Sequence, residues 1–153
     1  MIIKYIKFIL NYTFFIITLV AFSFSASSES SIEEVIKGRK ALFSKNYSTA
    51  KRVQALSSSG KFDKTSELIL EMSENYKKLL TMFPDNTKEG FNTEVLPLVW
   101  EEKDKFNSLM EKASNNMVEL ASVIENADNI RGTLGKLMWG NCKACHSKYR
   151  EEH

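Results

Sequence analysis

Apolar residues in this chain recur in steps of three and four over most of its length. From Ser31 to about Leu56 they fall at Ile32, Val35, Ile36, Leu42, Phe43, Ala50, Val53 and Leu56. A second set runs through Phe62, Leu68, Ile69, Met72, Tyr76, Leu79, Leu80 and Phe83. A third has Trp100, Phe106, Leu109, Met110, Ala113, Met117, Leu120 and Ile124, and a fourth Ile130, Leu134, Leu137, Met138, Cys145 and Tyr149. That period places each set on one face of an amphipathic helix, and no window alternates as a half-buried strand would. The breaks agree. "SSSG" at 57–60 is a short turn, "FPDNTKEGFNTEVLP" at 83–97 carries both prolines and Gly90, and "ENADN" ends with Asp128 or Asn129 poised to cap the last helix. Four single-striped helices joined by short-to-moderate connections predict an all-α domain, an antiparallel up-down-up-down four-helix bundle.

The start of the chain follows a different pattern. Lys4 and Lys7 precede an apolar run from Phe8 to Phe24, and small residues take over in "SFSASSESS". This is the plan of a secretory signal, with cleavage near Ser25 to Ser27. The run is short for a bilayer core of about 30 Å, which calls for about 20 apolar residues. Residues 1–26 are therefore assigned to a signal peptide and 27–153 to the exported domain, with no stable membrane span after cleavage. Without Lys4 and Lys7, 19 of the 21 basic residues remain against 19 acidic ones, with both signs mixed along the helices. Such a surface gives no clustered basic patch for nucleic acid.

The chemistry is concentrated at the other end. "GNCKACHSKYR", residues 140–150, holds the only two cysteines, Cys142 and Cys145, and one of the two histidines, His146. A redox dithiol belongs at a helix N-terminus following a strand, and no strand precedes this pair. A zinc site would need Cys142, Cys145, His146 and His153, yet adjacent Cys145 and His146 point about 100° apart on a helix and converge poorly. A disulfide between helical i and i+3 positions closes almost no loop and would stabilise little. C-x-x-C-H most directly signals covalent attachment of a c-type haem. Two thiols on one helical face can add to the vinyl groups on one porphyrin edge, and the following histidine reaches the iron. Export suits this chemistry, because such haem is attached outside the cytoplasm.

The motif lies near the end of the chain, on the last helix of a bundle. There the sequence resembles the class II c-type cytochromes, most closely cytochrome c′, from about Glu33 to Arg150. The resemblance rests on "IKGRKALF" in the first helix, "FP" at 83–84, "LVWEEKDKF" opening the third and "CKACHSKYR" in the last. It implies one covalently bound haem c, with Cys142 and Cys145 as vinyl partners and His146 as proximal iron ligand. Arg150 matches a basic residue on the proximal side, Arg39 an arginine that contacts a haem propionate, and Trp100 an aromatic near the haem edge.

Low-spin members of the class place a ligating Met four residues beyond the first-helix arginine. That position here is Phe43, or Leu42 if the register slips by one, and neither can ligate. The resemblance thus implies five-coordinate, high-spin iron behind an apolar distal wall that lacks a hydrogen-bond donor. Family members bind nitric oxide, so the expected role is periplasmic binding of NO or CO, or NO buffering. The competing role is a low-spin electron carrier that uses a redox partner protein, for which Met72 on the inward stripe of the second helix would have to reach the iron. A haem-free helical module with a 142–145 disulfide and a protein partner is the third reading. Family members often pair as homodimers through the first two helices. No base-and-nucleophile arrangement for substrate turnover is present, so no enzyme is expected.

Overall fold

Helix α1 spans 32–58, and the buried positions on its inner face (36, 39, 46, 50, 53 and 57) keep close to a 3.5-residue period. A computed structural model describes residues 32–152, and the compact unit that carries the bundle begins at Val35. The signal-peptide assignment, the Ser31 helix start and His153 lie outside the described residues. Four of the buried α1 residues are polar, Arg39, Asn46, Thr49 and Ser57, so the apolar stripe read from the sequence understates the buried face.

The turn after α1 is built by Gly60 at φ +68°. Lys61 N–H donates to Leu56 C=O at 3.0 Å and Gly60 N–H to Ser57 C=O at 3.1 Å. That pair of bonds is a Schellman closure, and glycine suits its left-handed residue. α2 (Phe62–Leu79) therefore doubles back on α1. It buries Leu68, Ile69, Met72, Tyr76 and Leu79 on one side, as the 3.6-residue spacing requires.

The connection 83–97 holds a short 3₁₀ turn at Asp85–Thr87. The single helix expected from Trp100 onward is split. Leu98–Glu101 forms one turn, Glu102 leaves helical geometry at φ −116° and ψ 42°, and α3 runs Lys103–Val123. α2 and α3 pack along much of their length and are hydrogen-bonded to each other at Ser73 and Ser114. There Ser73 Oγ donates to Ser114 C=O at 3.0 Å and Ser114 Oγ to Ser73 C=O at 3.2 Å. Small side chains permit this approach, and the reciprocal bonds satisfy two buried hydroxyls.

α4 covers 130–149. Asn129 caps it, with its side chain accepting from Gly132 N–H at 2.9 Å. The expected regular helix is interrupted by a π-helical turn at Gly135–Trp139, closed by Gly140 N–H donating to Gly135 C=O. One extra residue in this turn rotates the face that follows it, and α4 resumes at Gly140–Tyr149 with the C-x-x-C-H motif. Past α4 the backbone pairs once with the 83–97 connection. Leu96 N–H donates to Tyr149 C=O at 3.0 Å and Glu151 N–H to Glu94 C=O at 2.9 Å, an isolated antiparallel bridge centred on Val95 and Arg150. The described residues contain no strand beyond this bridge. Among them no helix is long and apolar enough to cross a membrane.

Candidate haem site

α1, the 83–97 connection, α3 and α4 enclose a cavity of about 770 Å³. That size lies within the roughly 300–1,000 Å³ of sites that enclose a small molecule. Cys142, Cys145 and His146 all line it, one helical turn or less apart on α4. Both cysteines are free thiols. Burial pushes the Cys145 thiol up to about 11, with Cys142 adding to the shift. Burial also raises Cys142, against hydrogen bonds from Tyr76 and the backbone that lower it. A redox dithiol needs the opposite, a thiol pulled down toward neutral pH by a cation or a helix N-terminus. Among the described residues no cluster of three or more His, Cys, Asp or Glu is placed to hold a metal ion by itself.

His146 is exposed toward the open space. Its imidazole is held below the usual histidine value by burial first and by Arg150 second, with Glu94 opposing. The shift favours the neutral imidazole, the form that ligates a metal. Facing it across the cavity is Phe43, with ring centroids 6.5 Å apart and planes at 67°.

Arg39 marks the other end of the cavity. It is 1 % exposed, yet it is a cation. Its Nη1 donates to Thr87 Oγ1 at 2.9 Å and to Met82 C=O at 3.3 Å, and its Nη2 to Thr93 Oγ1 at 2.7 Å and Thr87 C=O at 3.0 Å. The guanidinium also stacks over Phe83 at 4.8 Å. Burial lowers its pKa to about 10, which leaves it charged at neutral pH. Its Nε has no hydrogen-bond partner. A buried cation with an unused donor in the cavity wall fits a group that brings carboxylates there. Free thiols, a neutral imidazole and this cation together match the donor set a c-type haem requires.

The remaining expected contacts divide. Arg150 lines the cavity and its Nε sits 3.0 Å from a Glu94 carboxylate oxygen. Leu42 does not line the cavity. It lies about 100° around α1 from Phe43 and packs against the core, so Phe43 alone holds that position. Trp100 is also outside the lining, because its Nε1–H is spent on Phe83 C=O at 3.1 Å and Pro84 C=O at 3.2 Å. Among the aromatics that do line the wall, Phe83 lies 6.2 Å from Trp100 and 4.7 Å from Phe106, so Trp100 acts through Phe83. Met72 is fully buried in the core and absent from the lining, whereas Met110 of α3 is part of it. Thr87, Thr93, Asn46 and Tyr76 carry polar contacts at the site that no motif announced. Asn46 and Tyr76 could have been suspected from helical spacing alone, at three residues past Phe43 and on the inner stripe of α2.

A helical bundle whose last helix presents C-x-x-C-H to such a cavity defines a c-type haem protein. The family model described as cytochrome C′ matches residues 34–150. The chain belongs to the cytochrome c′ family. It is 31% identical over 120 residues to cytochrome c′ of Rhodopseudomonas palustris, covering 76% of this chain and 82% of that one. It is 37% identical over 71 residues to cytochrome c-556 of Agrobacterium tumefaciens, covering 44% and 56%. The crystal structure of cytochrome c′ from Rubrivivax gelatinosus superposes with a TM-score of 0.66 at 28% identity, over 78% of this chain and 97% of that one.

Proposed function

We propose that this protein is an exported, periplasmic cytochrome c′ that holds one haem c through Cys142 and Cys145, with His146 as its only protein ligand to iron, and binds or buffers an uncharged diatomic gas such as NO or CO. The observation that carries the reading is Phe43 standing 6.5 Å from His146 on the opposite side of the cavity. A phenyl ring cannot ligate, so it reserves that face without occupying the metal. When bound, the haem supplies an iron with one coordination position left for a small ligand. The chain supplies the rest. His146 offers a neutral nitrogen, Arg39 offers a buried positive charge to the carboxylate edge, and Phe83 and Phe106 wall the ring from water. A ligand reaching the Phe43 side must displace an aromatic ring, which excludes bulky molecules and admits diatomics. This is a binding role, not an enzymatic one.

The electron-carrier reading needs a sixth ligand. Met72 would have to leave the core to provide it, and Met110 is the methionine already in the cavity wall. The absorption spectrum of the mature protein, produced in a host that matures c-type haem, separates the two. A broad, shouldered reduced Soret band without sharp α and β peaks is the expected result. Sharp, split α and β bands would overturn it in favour of a sixth ligand and electron transfer, and protein without haem would overturn both.

A further inference from the structure

Charge that balances over the whole chain does not balance over the fold. Residues 35–61 carry seven lysines and arginines and residues 129–150 carry five, with no Asp or Glu in either stretch. Residues 62–128 carry seven basic side chains against fourteen acidic ones. The even mixture of signs expected from the sequence therefore fails helix by helix. α1 from Val35 onward and α4 hold the cations, and the two helices lie side by side. Tyr47 and Trp139 have ring centroids 6.1 Å apart, and Trp139 Nε1–H donates to Gln54 Oε1 at 3.0 Å. Lys45, Lys148 and Arg150 meet carboxylates of neighbouring segments at Glu71, Glu102 and Glu94. Lys40 instead bonds Asn92 C=O at 2.8 Å and Lys51 stacks over Tyr47 at 4.3 Å, so neither charge is neutralised by a carboxylate. Lys143, between the two cysteines, is exposed and lines the cavity with Lys40.

Tyr47 also lines the cavity and is still 54 % exposed, so the cavity reaches solvent beside it. An exposed aromatic ringed by uncompensated cations has the make-up of a protein interface, with an aromatic anchor at its centre and a polar rim. We infer that this α1–α4 face docks an acidic protein that delivers electrons, with carboxylates set against Lys40, Lys51 and Lys143 around Tyr47. The inference rests on the proposed haem at Cys142, Cys145 and His146, and it adds where the electron that keeps its iron reduced would enter. The partner gives up one electron and ferric iron takes it; no bond is made and no proton moves. A lipid surface fits the face less well. Helices that lie in a membrane interface bury large apolar side chains there. The other large apolar residues exposed among the described ones, Leu70, Val118 and Val123, stand on α2 and α3.

The test uses flavodoxin, an acidic one-electron carrier, as the probe. Its oxidised form is bound to the ferric holoprotein, where no electron can pass, and its reduced form is used in stopped-flow reduction of the same protein. Wild type is compared with Lys51→Glu/Lys143→Glu and with Lys64→Glu/Lys77→Glu, which makes the same change of net charge on α2. Affinity and reduction rate of the wild type should both fall steeply as salt is raised. At low ionic strength the Lys51/Lys143 variant should lose roughly tenfold or more in rate, the scale of electrostatic steering, and the α2 variant should stay near the wild type. Equal losses in the two variants would mean that only net charge matters and would overturn the docking face. So would a wild-type rate that salt does not change. Binding to phosphatidylglycerol vesicles that depends on Lys51 and Lys143, with flavodoxin indifferent to them, would overturn it in favour of a membrane. The CO adduct of each reduced protein reports the gas site separately: its loss in the wild type would sink the gas-binding reading, and protein without haem would overturn electron delivery as well.

Discussion

Arg39 grips Thr87 twice, through the hydroxyl at 2.9 Å and through the backbone carbonyl at 3.0 Å, so a cation on α1 holds a loop 48 residues away. The same guanidinium reaches Thr93, which itself lines the cavity. Arg39 is therefore a strut of the site as well as a charge in its wall. Hydrogen bonds from a charged group contribute about 1.5–3 kcal/mol each, offset by the cost of burying the cation. Arg39→Met should lose on the order of 2–4 kcal/mol in urea unfolding of the holoprotein. Arg39→Lys should rescue little of it, because a single ammonium cannot fork to both threonines. Amide exchange at 85–93 should quicken in both variants. Wild-type stability in the lysine variant would show that charge alone suffices.

Phe43 predicts a kinetic effect. Its ring is only half-buried and packs edge-on to Phe83 at 6.4 Å, so it has room to move aside but a preferred place. Pushing a side chain about 30° off its rotamer costs on the order of 0.5–1.5 kcal/mol. As a barrier, that corresponds to a rate change of roughly twofold to tenfold. Phe43→Ala should speed CO association by this order in flash photolysis, whereas Leu42→Ala should leave it unchanged. Equal rates in wild type and Phe43→Ala would remove the ring from the ligand's path.

Much of this architecture is legible in the chain because helical burial repeats and because C-x-x-C-H is a chemical string. The four stripes define the bundle, "SSSG" the first turn and "ENADN" the last cap, which the structure narrows from Asp128 or Asn129 to Asn129. Other features depend on contacts that periodicity does not carry. Thr87 and Thr93 look like loop polar residues until Arg39 is seen between them. Asn46 falls at an inner position by spacing, but its polar side chain makes sense there only once Asn75 is seen opposite, donating to its oxygen. The π-helical turn framed by Gly135 and Gly140 cannot be seen by any search at 3.6 residues per turn. Trp100 stands one layer further from the cavity than the resemblance implies, because its segment ends at Glu102 and Phe83 intervenes.

The contact of Ser73 with Ser114 predicts asymmetric tolerance to substitution. Each hydroxyl bonds the other helix's carbonyl, so Ser73→Ala loses about one hydrogen bond, on the order of 1 kcal/mol, while the helices stay in place. Ser73→Leu must push α2 and α3 apart where donor and acceptor are 3.0 Å from each other. Overpacking of this kind costs about 1–3 kcal/mol and occasionally more. Thermal unfolding of the two holoprotein variants should show a clearly lower midpoint for leucine. Equal midpoints would mean that the crossing has slack.

Glu102 supplies the pH dependence. It sits where the one-turn helix breaks before α3, and it binds Lys148 Nζ, Lys105 Nζ at 2.9 Å and the Tyr149 hydroxyl at 3.2 Å. The cluster ties the start of α3 to the end of α4, directly after the haem motif. Hydrogen bonds from Lys148 and then Lys105 pull its carboxyl down to about 2 from the ordinary 4.5, against a smaller effect of burial. The folded protein thus binds this proton less readily than the unfolded chain does. Its stabilising contribution is complete above about pH 4.5 and is lost as the pH falls toward 2. Glu102→Gln should be less stable than the wild type at pH 6, and the gap between their urea midpoints should close progressively below pH 4.5. The pair is open to solvent, so raising the ionic strength at pH 6 should also narrow the gap. A gap that stays constant from pH 6 to pH 2.5 would mean that Glu102 holds α4 by shape and not by charge.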